Sequence, residues 1–189
     1  YRALNISYID EWMKFCYQRK LNLNSILNAI RLRPTHRNIM KTGIGVGGYC
    51  LTKDGLFGSL SNKLFDKKVL NFKLTNMSLN INKEMISNSY DFIKNKTKNL
   101  KKPKILFLGT TYKEDIGDFR NSPSKILYNF IKKRKFNVSS YDPYSDNRIL
   151  NYSYLGKFDV IIFCVKHKEF LRLNFNKILK LKKKLIDLN

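Results

Sequence analysis

The sequence predicts an α/β chain in two parts, a helical first half followed by a domain built on a parallel sheet. Three observations carry this. Apolar residues recur at helical spacing from Tyr1 to Arg19, a second and longer helical periodicity spans about residues 70–99, and four short apolar runs alternate with helix-like segments beyond Pro103.

The elements follow in order. Leu4, Tyr8, Ile9, Trp12, Met13, Phe15 and Cys16 form the stripe of the first helix, and a second short helix is expected over Ser25 to Leu32, closed by Pro34. Leu70, Leu74, Met77, Ile81, Met85 and Phe92 mark the long helix, with Pro103 at its far end. KILFLG (104–109), FNVSSYD (136–142), DVIIFCV (159–165) and KLIDL (184–188) read as strands. Strands alternating with helices imply a parallel sheet, so the second half is expected to be Rossmann-like, with ligands beyond the carboxyl ends of its strands near the turn GTTY.

Between the short helices and the long one lies GIGVGGYCLTKD, residues 43–54. Its glycines allow tight turns and close approach of a ligand to the backbone, and they lead into a cysteine flanked by polar and small residues. Lys53 and backbone N–H groups aimed at the sulfur would favour the nucleophilic thiolate of Cys50. A glycine-rich surface turn that happens to contain a cysteine is the alternative. Cys16, on a helix stripe, and Cys164, inside VIIFCV, read as packing residues. Three cysteines without metal-type spacing fit a reducing compartment, and no metal is expected. No GxGxxG stands after a strand to open a helix, so a dinucleotide fingerprint is missing.

The chain carries 37 Lys and Arg against 14 Asp and Glu, a formal charge of +23. Runs such as Lys132-Lys133-Arg134-Lys135 and Lys182-Lys183-Lys184 would ordinarily suggest nucleic acid. They fall at a helix end and just before a strand, where solvated lysines are usual, and no nucleic-acid motif accompanies them. The Lys, Asn and Ile richness fits an AT-rich genome. No nucleic-acid partner is therefore expected. No apolar run reaches a membrane span and no signal peptide opens the sequence, so a cytoplasmic protein without a membrane partner is expected.

GIGVGGYCLTKD resembles the catalytic-cysteine signature GPGVGGxCxPKDP of the nucleotide-sugar 6-dehydrogenases. YRALNISYIDE (1–11) resembles the helix after that family's NAD domain, INKEM (81–85) its "iNxxM" stretch, GTTYKEDIGDFRNSP (109–123) its "GlaYKpdtdDlReSP", and YDPY (141–144) the strand end beyond. The resemblance implies a central helical dimerisation domain at residues 1–100 and a UDP-sugar-binding domain at 101–189. It also implies a missing N-terminal NAD domain, so that the chain reads as a fragment inactive by itself.

By the same resemblance Cys50 is the nucleophile and Asp54 the aspartate that positions or deprotonates water. Lys53 and Arg120 contact the pyrophosphate of the cofactor, NAD. The UDP-sugar is held by Ile39, Met40, Lys41, Thr42, Gly43, Gly47 and Lys113, and Arg37 reaches a phosphate across a homodimer interface. His36 and His167 are poor acid-base candidates; His167 matches the family's "vdHdeF", with a structural role. The family's prolines are replaced by Ile44, Thr52 and Gly55. HRNIM (36–40) is closer to "RVNIL" of the UDP-N-acetylmannosamine enzymes, so the expected substrate is a UDP-N-acetylhexosamine, N-acetylmannosamine or N-acetylglucosamine, oxidised to a uronic acid for surface polysaccharide. UDP-glucose remains the alternative, as do a non-catalytic nucleotide-binding or assembly module and, on charge alone, a nucleic-acid-binding protein.

Overall fold

The computed structural model describes residues 1–66, 71–181 and 183–188. The chain divides into two compact units, Tyr1–Met85 and Ile86–Asn189.

In the first unit, helix α1 (Arg2–Gln18) is followed by α2 (Leu23–Ile30), whose first turn is capped by the Asn22 side chain accepting from the Ser25 N–H at 3.2 Å. A short 3₁₀ turn, Pro34–His36, opens a long irregular segment that ends in a second 3₁₀ turn, Asp54–Leu56. Helix α3 (Phe57–Ser61) then passes into one π-helical turn, Asn62–Asp66. The predicted long helix is α4 (Lys73–Thr97), which starts in the first unit and continues into the second; Leu70, expected at its start, lies outside the described residues.

Ile9, Cys16, Leu23 and Leu27 form a core cluster here, with Met13 and Ile39 packed against it. The α1 stripe is thus split. Ile6, Ile9 and Cys16 are buried, whereas Tyr8, Trp12 and Phe15 are exposed and stack edge to face with ring centroids 6.4 and 5.6 Å apart. The hydroxyl of Ser7 ties α1 to α4 by donating to the Ser78 carbonyl at 2.8 Å.

The second unit holds the parallel sheet, with strands β1 (Lys104–Leu108), β2 (Asn137–Tyr141), β3 (Val160–Phe163) and β4 (Lys184–Asp187) in the order β2-β1-β3-β4. Its helices are α5 (Pro123–Lys133), α6 (Tyr152–Leu155), α7 (Lys168–Leu171) and α8 (Phe175–Lys180). The β3 run VIIF is buried throughout, as a strand covered on both faces must be. Alternation along β1 divides the core. Leu106 and Leu108 pack with Ile161, Phe170 and Ile178, while Phe107, which alternates with them along β1, meets Tyr128 of α5 edge on at 5.9 Å. Each such buried side chain contributes roughly 1.5–3 kcal/mol.

Ser122 caps α5 by accepting from the Lys125 N–H, and Pro123 occupies the first turn, where its missing N–H costs nothing. Gly109, directly after β1, has φ +91°, and a Cβ there would lie 2.6 Å from the Val165 Cβ. Only glycine lets the chain leave β1 this close to the segment after β3. No helix among the described residues is long and apolar enough to cross a membrane.

Candidate active site

Cys50 is exposed, and Cys16 and Cys164 are buried. Burial pushes the Cys164 thiol well above its usual range, which suits a packing role. The exposure of Cys50 follows from the backbone around it. Gly45 and Gly48 adopt φ +127° and +82°, whereas Gly43 and Gly47 stay outside the left-handed region. The turn that presents the thiol therefore depends on two of the four glycines. A Cβ on Gly45 would stand 3.1 Å from the Asn82 Oδ1 and 3.2 Å from the Asn82 carbonyl, so the loop lies directly against α4. Asn82 answers both backbone groups of Val46, and Met85, one turn on, is fully buried beside Gly45. Gly43, Gly45 and Gly48 match the glycine spacing of a dinucleotide loop, but no strand precedes them and a 3₁₀ turn follows, so the phosphate-binding geometry of that motif is not formed.

Beyond Cys50 the backbone closes one turn. The N–H groups of Lys53 and Asp54 donate to the Cys50 carbonyl at 3.2 and 2.9 Å, and the Thr52 hydroxyl donates to the carbonyls of Gly48 and Tyr49. This places Asp54 next to the cysteine turn. Its Oδ1 accepts from the Lys53 ammonium at 2.8 Å. That ammonium also lies over the rings of Tyr49 and Phe57, 4.1 and 4.8 Å from their centroids. The Asp54 hydrogen bond, with smaller help from Tyr49 and Cys50, holds the lysine above its ordinary pKa.

The segment Arg37 to Gly43 enters this loop from α2. Arg31 donates twice to the Ile39 carbonyl, at 2.7 and 3.2 Å, which fixes where the segment leaves the helix. Arg37 and Lys41 are exposed; Met40, Thr42, Gly43 and Gly47 are half-buried. Thr42 donates its hydroxyl to Oδ1 of Asp10 at 2.7 Å. Asp10 is wholly buried and its Oδ2 has no partner among the described residues. Burial pushes its carboxyl up to about 6, against the weaker opposing effects of Thr42, Lys14 and the Gly43 amide. Nothing in the local pattern of α1 singles out Asp10, because it acquires its role from a partner more than thirty positions away.

In the second unit Lys113 is exposed on the segment after β1, and Arg120 forms a forked ion pair with Asp118, Nη2 to Oδ2 at 2.6 Å. The segments beyond the strands converge on His167, which is fully buried. Its Nδ1 accepts from the Asp115 N–H at 3.0 Å, so the ring proton sits on Nε2, facing the Thr111 hydroxyl at 3.0 Å and Asp142 at 3.4 Å. Asp142 also accepts from the N–H groups of Thr110, Thr111 and Tyr144. Burial alone would raise its carboxyl, but these donors outweigh it and hold Asp142 at about 2. His167 is thus a structural brace between three loops. Beside it, Asp115, Tyr144, Lys168 and Arg172 line an open cavity of about 410 Å³. Among the described residues no cluster of His, Cys, Asp or Glu could hold a metal ion.

Residues 1–84 match the central domain of the UDP-glucose/GDP-mannose dehydrogenase family, and residues 106–188 match its UDP binding domain. A UDP-N-acetyl-D-mannosamine dehydrogenase of Methanococcus vannielii is 30% identical over 98% of this chain and 43% of its own length, and one from Campylobacter jejuni is 27% identical over 94% and 45%. Among solved structures, the UDP-D-ManNAc dehydrogenase of Pyrococcus horikoshii superposes with a TM-score of 0.82 at 30% identity, covering all of this chain and 45% of that one. The corresponding Staphylococcus aureus enzyme gives 0.79 at 26%, covering all of this chain and 45% of that one. The chain spans less than half the length of these relatives. With two domain matches in order along nearly its whole length and a fold to agree, the chain belongs to the UDP-glucose/GDP-mannose dehydrogenase family.

Proposed function

We propose that this chain supplies the catalytic-cysteine and nucleotide-binding parts of an NAD-dependent dehydrogenase that oxidises UDP-N-acetyl-D-mannosamine to its uronic acid, for surface polysaccharide. The observation that carries the reading is the exposed Cys50 on a glycine turn with Asp54 on the next turn, in a chain whose relatives from Methanococcus vannielii and Pyrococcus horikoshii are named for this sugar. Cys50 Sγ adds to the C6 aldehyde of the half-oxidised sugar and holds that carbon first as a thiohemiacetal and, after the second oxidation, as a thioester. Asp54 orients the water that cleaves the thioester and returns the thiol. Bound NAD supplies the hydride acceptor for both oxidations.

Lys53 and Arg120 are the side chains assigned to the cofactor pyrophosphate. Each is paired with a neighbouring carboxylate, Asp54 or Asp118, so phosphate binding exchanges one anion for another. Ile39, Met40, Lys41, Thr42, Gly43 and Gly47 present backbone and side chains to the sugar, Lys113 binds the nucleotide portion, and Arg37 reaches a phosphate of a second protomer's substrate. The exposed Tyr8, Trp12 and Phe15 of α1 favour a homodimer through this helix.

The test is uronate formation from UDP-N-acetylmannosamine, UDP-N-acetylglucosamine and UDP-glucose in the protein joined to an NAD-binding domain, with and without Cys50→Ser. The reading expects oxidation of UDP-N-acetylmannosamine that the substitution abolishes. Undiminished turnover by the variant removes Cys50 from the mechanism, and a preference for UDP-glucose overturns the substrate.

A further inference from the structure

The parallel sheet brings together cations that the sequence scatters. Because all four strands run the same way, the segments that lead into them share one edge, and there the charge is almost entirely positive. Lys96 lies in the last turn of α4, Lys98, Lys101 and Lys102 lie between that helix and β1, and Lys104 opens the strand. Lys132, Lys133 and Lys135 precede β2, and Lys157 precedes β3. Lys180 closes α8, and Lys183 and Lys184 lead into β4; Lys182, between them, lies outside the described residues. All of these described lysines are exposed except the half-buried Lys183.

The acidic side chains are distributed in the opposite way. Apart from Asp91 and Asp159, every acid of this unit follows the carboxyl end of a strand or, like Asp187, closes one. Asp159 itself accepts from the Lys104 N–H at 2.8 Å. None of the lysines at the strand-leading edge forms an ion pair with an acidic side chain among the described residues. Read one run at a time, these lysines are ordinary solvated helix ends; placed side by side they repel one another, and an anionic surface would relieve that repulsion.

We propose that this edge of the second unit docks on anionic phospholipid headgroups. A broad basic edge is attracted to such a surface without any groove or specific pairing. The aromatic residues at this edge favour lipid over single-stranded nucleic acid. Tyr90 packs edge to face on Phe130 and Phe136, and the Phe130 face is already covered by the Arg134 guanidinium, 3.4 Å from its centroid, so this cluster of rings is engaged within the fold rather than held out for bases to stack on.

The experiment is sedimentation of the chain with phosphatidylcholine vesicles, plain or doped with phosphatidylserine, for two triple variants of equal charge change. Lys101→Glu, Lys104→Glu and Lys184→Glu alter the edge; Arg2→Glu, Arg33→Glu and Lys83→Glu alter exposed cations of the first unit. Binding to the doped vesicles should fall at least about tenfold for the first set and within about twofold for the second, and plain vesicles should not bind. If the Glu set does not fold, the Gln versions of the same three lysines are compared and should show a loss in the same direction. Equal losses in both sets mean diffuse attraction and overturn the proposal. So does tighter, edge-dependent binding of single-stranded RNA than of vesicles, which makes nucleic acid the occupant.

Discussion

The side-chain amide of Asn82 pairs with both backbone groups of Val46: Oδ1 accepts the Val46 N–H at 2.5 Å and Nδ2 donates to its carbonyl at 3.2 Å. A residue of α4 thus stands in for a neighbouring strand and satisfies the middle of the glycine loop. Asn82→Ala leaves both groups unpaired and should cost about 1–3 kcal/mol in urea unfolding. A change under a few tenths would show that the loop holds itself.

Gly45→Ala should be at least as costly. The residue must keep φ +127°, and its new Cβ meets the Asn82 carbonyl, which is helix backbone and cannot move aside. Backbone strain of this kind is on the order of 1–3 kcal/mol. Gly47→Ala, which has no such φ, should unfold at nearly the parent's urea midpoint.

Cys50 should be the thiol that reacts in the folded chain. Brief iodoacetamide treatment followed by intact mass measurement is expected to add one group, mapped to Cys50, while Cys16 and Cys164 react only after unfolding. Modification of Cys164 in native buffer would contradict its burial.

Asp10 gives the pH dependence of the first unit a definite sign. Its folded carboxyl titrates at about 6 against 3.8 when free, so between those values the folded chain keeps a proton that the unfolded chain has lost. Stability from this group is complete below about 3.8 and is lost as the pH rises through 6, roughly 3 kcal/mol in all. Asp10→Asn should therefore gain relative to the parent on going from pH 4.5 to 7.5. Parallel stability curves for the two proteins would dismiss the effect.

Asp142 works in the other direction. Held at about 2, it stabilises the second unit above 3.8, and that contribution, roughly 2 kcal/mol, disappears as the pH falls toward 2. Asp142→Ala strands several buried N–H groups, so its cost at neutral pH should exceed that of the lost ionisation alone, about 3–5 kcal/mol by thermal or urea unfolding.

The regular elements were legible because their signals are local. KILFL, NVSSY, VIIF and KLID are strands, and the periodic stretch that ends near residue 99 is one helix to Thr97. Cys16 and Cys164 pack as their apolar surroundings suggested, and Cys50 is exposed. What stayed hidden depends on distance along the chain. Periodicity put Tyr8 and Trp12 on α1 but could not say that Ile6 and Ile9 would take the core while the aromatic rings faced outward. An aspartate among apolar residues gives no warning that Thr42, thirty-two positions on, will claim one of its oxygens. The motif INKEM was visible, yet its physical reason, Asn82 bracing Val46 and Met85 filling the space beside Gly45, exists only once α4 lies against the loop.

The bracing of three loops by one imidazole also bears on motion. Because His167 touches Thr111, Asp115 and Asp142 at once and its own helix begins with the Lys168 N–H bonded to Asp115, none of these segments can open while the others stay shut. Hydrogen exchange at the amides of Thr110, Thr111, Asp115 and Lys168 would then proceed through a single concerted fluctuation with a common opening free energy. The rim beyond the strand ends of the second unit then behaves as one cooperative patch, a surface set in advance rather than a collection of independent loops.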